Sequence, residues 1–444
     1  MNKRDSQALI PHLLRRAGFG ATPAELEYYQ SKGYDKTLDE LLHPEQVDNS
    51  ALDALTTSQN FDFTRIEDLK RWWLFRMCFT KRPLEEKLSL FWHGHFATSN
   101  RKVNNPYGMY LQNLAFRKYG MGSFSDLLLA VSKDPAMIIW LDNQQNRKGN
   151  PNENYAREIM ELFSLGIGNY TETDIKEAAK SFTGWQTKNG AFFFNTNQHD
   201  SSVKTVLGRT GDFNGDDIVQ IVSSQPAASR FISKKLVAFF VSDDPDPEMV
   251  RDLAAVYMKE KGDMRPVLKT LFRHPGFKSE TAFHAKIKSP AELVVGTIKT
   301  LQVQNLDGDL TASMSRMGQS LFEPPTVKGW DGGNAWISTN TMMERFNFAT
   351  RITQQKFDAM EGYISPSEMV ANQGLTNART MVDYFVSVLL DDDMPSSARG
   401  DLIKYVSSDF EGKPIAAIPD DKLLDAKLRG LVHLIMTMPT YQLA

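Results

Sequence analysis

Apolar residues recur every three or four positions over most of the chain, and the runs are bounded by proline, glycine or short polar side chains. That period belongs to helices that pack by one face. Residues 6–16 give a first helix that stops at Gly18-Phe19-Gly20. Thr22-Pro23-Ala24-Glu25 predicts a capping box with proline at the first helical position, opening a helix that runs to Gly33. Thr64-Arg65-Ile66-Glu67 predicts a second capping box, for a helix with Ile66, Leu69, Trp73 and Met77 on one side. Pro83 opens the next helix, with Leu84, Leu88, Phe91 and Trp92 inward. Asp134 is the expected N-cap before Pro135, and Ser289-Pro290-Ala291-Glu292 gives a third capping box.

The helical period breaks once. Residues 185–187, 191–195 and 203–207 are short β-like runs, with Asn189-Gly190 as a hairpin turn. Residues 318–336 hold too many prolines and glycines for a long helix and too many aromatics for disorder, so an ordered loop packed on the helical body is expected. Amphipathic helices close the chain, interrupted by the acidic run 391–393 and by residues 412–419. The fold class expected is mainly α: a multi-helical globular body with a small antiparallel β flap near 185–207. At 444 residues the chain exceeds one ordinary core. The expected division is 1–304, the helical main body with its flap, and 305–444, a loop-plus-helices region packed on it.

Composition narrows the partners. The chain is 41% hydrophobic and 24% charged, with net charge −3, which gives no overall basic field for nucleic acid or an anionic membrane surface. No segment approaches the roughly 20 consecutive apolar residues of a membrane span. The first residues lack the apolar run of a signal peptide, so the sequence as written reads as cytoplasmic; a chain trimmed of its signal, periplasmic or exported, reads the same way. The single cysteine, Cys78, lies beside Trp72, Trp73 and Phe75 and reads as a buried structural thiol.

The stretch 151–166, PNENYAREIMELFSLG, draws the chemistry together. Pro151 and Asn152 suit a helix start, with Asn152 as N-cap, and Gly166 a left-handed stop. Tyr155, Ile159, Leu162 and Phe163 share a core face. Glu158 and Glu161 lie one turn apart on another, and Arg157 is spaced to pair with Glu161. The same pattern describes a solvated, salt-bridged surface. His93 and His95 form H-x-H, which chelates easily from a strand, but on a helix the two side chains diverge by about 200°. A shared metal therefore asks the helix to end near Gly94. His199-Asp200 sits in the flap loop. Together these segments supply the nitrogen and oxygen donors for zinc, iron or manganese. There is no H-E-x-x-H and no E-x-x-H pair, and no P-loop, G-x-G-x-x-G or G-x-S-x-G, so nucleotide cofactors and serine hydrolase chemistry lose their support. Asp212, Asn214 and Asp216 open like a calcium loop, but Asp217 stands where glycine is needed and Ser223 where glutamate is needed. Asp216 or Asp217 as a helix N-cap explains that segment better. Trp330, Asp331, Asn334 and Trp336 offer either a binding rim for sugar or peptide or aromatic anchors for the loop.

Several segments together resemble the bacterial family catalogued as domain of unknown function 1800. They are HLLRRAGFGATPAEL at 12–26, FWHGHFATS at 91–99, DPAMIIWLDNQQN at 134–146, NPNENYAREIMELFSLGIGNYTETDI at 150–175 and FTGW at 182–185. QHDSSVKTVLGRTGDFNGDD at 198–217, KSPAELVVG at 288–296, PPTVKGWDGG at 324–333 and HLIMTMPTYQLA at 433–444 continue the match in order. The resemblance implies a mostly helical fold and frequent genomic pairing with a sulfatase-like, often exported, partner family. It brings no assigned mechanism.

Two functional expectations follow. In the first, the chain is a metal-dependent enzyme of hydrolase type, with a divalent zinc, iron or manganese on His93, His95, Glu158 and His199. Glu161 or Asp200 is then general base or orienting group, with Arg157 beside them. Non-haem metal redox chemistry uses similar ligands. In the second, the chain is a non-catalytic helical adaptor for the sulfatase-like partner, and Arg157, Glu158 and Glu161 form a structural network.

Overall fold

Thr22-Pro23, Asp134-Pro135, Asp246-Pro247, Ser289-Pro290 and Ser365-Pro366 each start a helix. The computed structural model describes residues 3–303, 306, 308–354, 364–415 and 421–444. In it Thr22 caps Pro23–Lys32 through a reciprocal box with Glu25, and Ser289 caps Pro290–Thr300 through one with Glu292. Asp134 accepts from Met137 N at 3.2 Å at the head of Pro135–Trp140. The box expected at Thr64 does not form. Helix Ile66–Phe79 begins after Arg65, and the amide and hydroxyl of Thr64 turn back to Asp62 at 2.9 and 2.6 Å. A carboxylate two residues upstream offers the threonine a local partner before the helix does.

Among the described residues the architecture is mainly α, with 23 α-helices and two antiparallel two-stranded sheets. The flap is two hairpins. Trp185–Lys188 pairs with Ala191–Phe194 across Asn189-Gly190, and Lys204–Val206 pairs with Arg209–Gly211 across Leu207-Gly208. All four turn residues have positive φ, between 48° and 76°. The second turn carries little sequence signal, because a bulky residue such as Leu207 seldom adopts that region. No described helix is long and apolar enough to cross a membrane.

The chain divides into two compact units. One comprises Met1–Thr37, Phe283–Ser320 and Gly332–Ala444; the other comprises Leu38–Ala282 and Leu321–Asp331. In the first, helix Asp421–Met436 packs against Thr339–Thr353, Pro366–Asn372, Ala378–Leu390 and Ser396–Val406. Its buried Leu428, Leu431, Val432 and Ile435 form the stripe that the sequence period anticipates. Part of the break expected at 412–419 lies outside the described residues.

In the second unit, helix Pro83–His95 is buried almost all round; only Glu85 and Gly94 are partly exposed. It packs on Ile66–Phe79 and Pro106–Tyr119. Trp92 stacks on Phe96 and donates from its indole to Gly120 O at 3.1 Å. Burial on every face forces the polar residues of this helix into partnerships. Glu86 is fully buried and holds Arg76 and Arg117, with Trp73 Nε1 donating to it at 2.9 Å.

Residues 321–331 join this unit from far along the chain. Phe322 lies 5.0 Å from Trp73 between ring centroids, its carbonyl accepts from Asn100 N at 2.8 Å, and Glu323 pairs with Lys70 at 3.0 Å. Gly329 has φ +84°, and a Cβ there would collide with Gly94 O. The loop is ordered on a helical body, as its aromatics require, and it can approach this closely only because residue 329 is glycine.

Candidate functional site

Helix Asn154–Glu161 carries the acidic pair. It starts later than the sequence implies. Asn152 Oδ1 accepts from Asn154 N at 2.9 Å, which orders the turn before the helix, and Glu153 is the N-cap. Asn146 ties this turn down: its Oδ1 accepts from Asn152 N and its Nδ2 donates to Ala179 O, each at 2.9 Å. Tyr155, Ile159 and Phe163 are buried, as the period requires, and Leu162 is half-buried. Past Glu161 the coil widens, with Phe163 N bonding Glu158 O and Leu165 N bonding Met160 O. It ends at Gly166, whose φ is +77° and whose absent Cβ makes room for Phe231.

The acids on this helix differ in their surroundings. Glu161 accepts from Tyr170 Oη at 2.7 Å. Burial and that bond push the tyrosine up to about 12. Glu158 is half-buried, and its carboxylate has no hydrogen-bond or ion-pair partner among the described residues. Partial burial, then the charge of Glu161, hold it above the ordinary carboxylate range, against the weaker pull of Arg157 and Lys328. Arg157 does not pair with Glu161. It bonds Glu172 twice at 2.8 Å and reaches Glu153 at 3.4 Å. A tertiary partner with fork geometry outcompetes the i,i+4 neighbour.

The histidines of H-x-H are both buried, because the helix runs through Gly94 to His95 and other elements cover both faces. His93 Nε2 accepts from Phe322 N at 3.0 Å, and its ring meets Trp330 at 5.4 Å. Burial pushes it down to about 3, so it is neutral at physiological pH. His95 uses both ring nitrogens: Nε2 donates to Phe163 O at 3.0 Å and Nδ1 accepts from Lys235 Nζ at 3.1 Å. Burial, then the Lys235 charge, hold it well below its usual value. Lys235 itself is pushed down to about 8 by burial and also bonds Leu162 O. Sequence reasoning missed this lysine. Its signal is a cation four residues after Phe231 on an otherwise apolar helical stripe.

His199 is half-buried in the flap and donates from Nδ1 to Thr183 O at 3.0 Å. That bond fixes the tautomer with Nε2 as the free acceptor. Asp200 accepts from Ser202 N at 2.9 Å; burial raises its carboxyl, and the two Ser202 bonds outweigh this and leave it below the ordinary value. The calcium-like loop is held by other means: Asp212 pairs with Lys204 and Asp216 with Lys133, at 3.3 and 2.8 Å. The N-cap is Asn214, with Asp217 returning to its amide, since the asparagine oxygen reaches both Asp216 N and Asp217 N.

The structure thus gathers Glu158, Glu161, Tyr170 and Lys328 around one helix face, and His93, Gly94 and Trp330 around the loop. It does not bring His93, His95, Glu158 and His199 into one donor set. Among the described residues no three His, Cys, Asp or Glu side chains form a group that could hold a metal ion. A metal on His95 would first have to displace Lys235 or the bond to Phe163 O. Trp330 and Trp336 fall in different units, and Trp336 is 7% exposed against Gly318, an anchor of its own unit. What the acidic helix can do unaided is move a proton, from Glu158 or to it.

These features define a mainly helical protein whose most available chemistry is a carboxylate pair on a short packed helix. The sequence model of the family described as "Protein of unknown function (DUF1800)" matches residues 12–443, and the chain belongs to that family. No curated protein and no solved structure matches it.

Proposed function

We propose that the chain is an acid–base enzyme of hydrolase type, with Glu158 as the proton donor and Glu161 as its partner. One observation supports this above the rest: Glu158 is a half-buried acid with raised proton affinity and no bonded partner, open to solvent on a packed helix. A carboxyl whose surroundings favour its neutral form can protonate a leaving group, and a neighbouring carboxylate can draw a proton from water. Tyr170 fixes the orientation of Glu161.

The adaptor reading has its own support. His93 and His95 bond buried partners, and Arg157 and Asp200 bond Glu172 and Ser202 at the surface, as structural residues do. In that reading the sulfatase-like protein is the counterpart.

The test is a panel of chromogenic esters, phosphate esters, sulfate esters and glycosides, run with and without added zinc, iron and manganese, alongside elemental analysis of chelator-free protein. Turnover that falls at least about a hundredfold in both Glu158→Gln and Glu161→Gln, with both folded, supports the enzyme. Folded wild type that turns over nothing, binds no metal and co-elutes with the sulfatase-like partner leaves the adaptor.

A further inference from the structure

The unit that contains helix Asp421–Met436 holds a cavity of about 60 Å³ lined by Leu14, Arg15, Phe19, Lys288, Asp391 and Tyr441, among others. That volume admits roughly four water-sized groups, the scale of one carboxylate or phosphate. Its charged lining is two cations, Arg15 and Lys288, and two acids, Glu292 and Asp391. The Lys288 ammonium sits 4.0 Å over the Tyr441 ring centroid and donates to Tyr441 O at 2.8 Å. No described carboxylate bonds it. Arg345, 2% exposed, donates to Lys288 O at 2.7 Å and to Gln442 Oε1 at 3.2 Å, both neutral acceptors, and its Nε is buried without a partner. Both cations thus bond neutral oxygens directly and share the charge of one carboxylate, Glu292, in a place where a buried charge is costly unless matched. Arg15, on the wall, pairs with Asp391, and both side chains are 17% exposed. Glu292 serves the cap of Ser289.

We propose that this cavity binds the oxyanion of a small molecule, a carboxylate or phosphate, between Lys288 and Arg15, with Asp391 as the internal anion that it competes with. The anion would add to the charge that Glu292 supplies to Lys288 and Arg345. Electrostatics agrees. Burial, then Arg15 and Arg345, push Lys288 down to about 7, with Glu292 pulling the other way. An added anion reverses the balance, so binding at neutral pH takes up a proton at Lys288. The pair Arg15–Asp391, as the solvent-reaching part of the wall, opens when the ligand takes Arg15. This site lies outside the unit that carries Glu158 and is independent of the acid–base reading.

The test is calorimetric titration of the full chain with sulfate and with acetate at pH 7, at constant ionic strength with chloride as background, in two buffers of different ionisation enthalpy. Sulfate does not titrate in this range, so any buffer-dependent heat reports the protein. Saturable binding with net proton uptake is expected. Lys288→Met is expected to weaken it at least about tenfold, and Asp391→Asn to strengthen it several-fold. The opposite signs separate an anion site from a structural cluster, which would weaken in both. Should Lys288→Met fail to fold, Asp391→Asn decides alone. Absence of saturable heat in the wild type, or affinity unchanged or weakened by Asp391→Asn, overturns the proposal.

Discussion

Glu86 and Glu158 are both glutamates on packed helices of one unit, and they stand at opposite ends of what burial does to an acid. Glu86 is wholly enclosed. Burial alone would raise its proton affinity, but the charges and bonds of Arg117 and Arg76 outweigh it and push the carboxyl down to about 2. Glu158 is only half-buried, has no bonded partner, and moves up. The difference lies in the cations and not in the depth. A paired acid is committed to its charged form and to structure, whereas an unpaired one keeps both protonation states within reach. Asp134 keeps the comparison from being too simple. It is buried with amide donors only, from Gln112 and Met137, and burial pushes it up to about 7 despite them. A raised acid is thus not by itself a functional one. What singles out Glu158 is that it is raised, without a bonded partner among the described residues, and only half-buried.

The largest expected effect breaks the comparison at its structural end. Glu86→Gln takes the bonded anion from Arg117 and leaves Arg76 only the exposed Asp53 at 3.4 Å, and it should cost about 3–5 kcal/mol in denaturant unfolding. The pH dependence follows from the direction of the shift. Glu86 has a folded value near 2 and an ordinary value of 4.5. Its contribution is therefore complete above 4.5 and is lost as pH falls toward 2, and the variant should lack that acid-side loss.

Asp134 gives the opposite sign and a smaller effect. Its folded value, about 7, lies above its ordinary 3.8. The protonated form is the one the fold prefers, so its stabilisation is full below about pH 4 and is lost as pH rises through 7. An asparagine side chain in its place would remain a good N-cap and cannot ionise. Asp134→Asn should match the wild type at about pH 4 and exceed it by roughly 1–3 kcal/mol at about pH 8. Equal stability of the two proteins at both pH values would mean that water reaches the carboxyl.

Which of these residues could be read in the sequence depends on range. Caps at Thr22, Ser289 and Asp134 were legible because both partners lie within three residues. The core face of Tyr155, Ile159 and Phe163 was legible from period alone, as was the Asn189-Gly190 turn. The partner of Arg157 was not, since Glu172 lies 15 residues on and only the folded chain brings it near. The same holds for Phe322 on His93, 229 residues apart, and for Lys288 on Tyr441, 153 apart. Periodicity says which face of a helix is covered, not what covers it. On a helix the two side chains of H-x-H diverge, and both are nonetheless buried because the loop 321–331, whose place on the body the sequence does not specify, meets His93 through Phe322 and Trp330.

The smallest expected effect on stability is the one that sharpens the contrast most. Glu158→Gln removes a carboxylate that has no bonded partner among the described residues, relieves its repulsion from Glu161, and keeps size and polarity. It should change unfolding free energy by no more than about 0.5 kcal/mol. If Glu158 were structural in the sense of Glu86, the same substitution would cost several times that. The discriminating measurement is therefore the pair of variants side by side in urea at neutral pH: Glu86→Gln strongly shifted, Glu158→Gln superimposed on wild type. A large loss in Glu158→Gln would show a partner gained in solution and move this acid to the structural side. A negligible loss leaves a folded protein whose only missing property is a titratable proton on the helix face, the right background against which to look for lost chemistry.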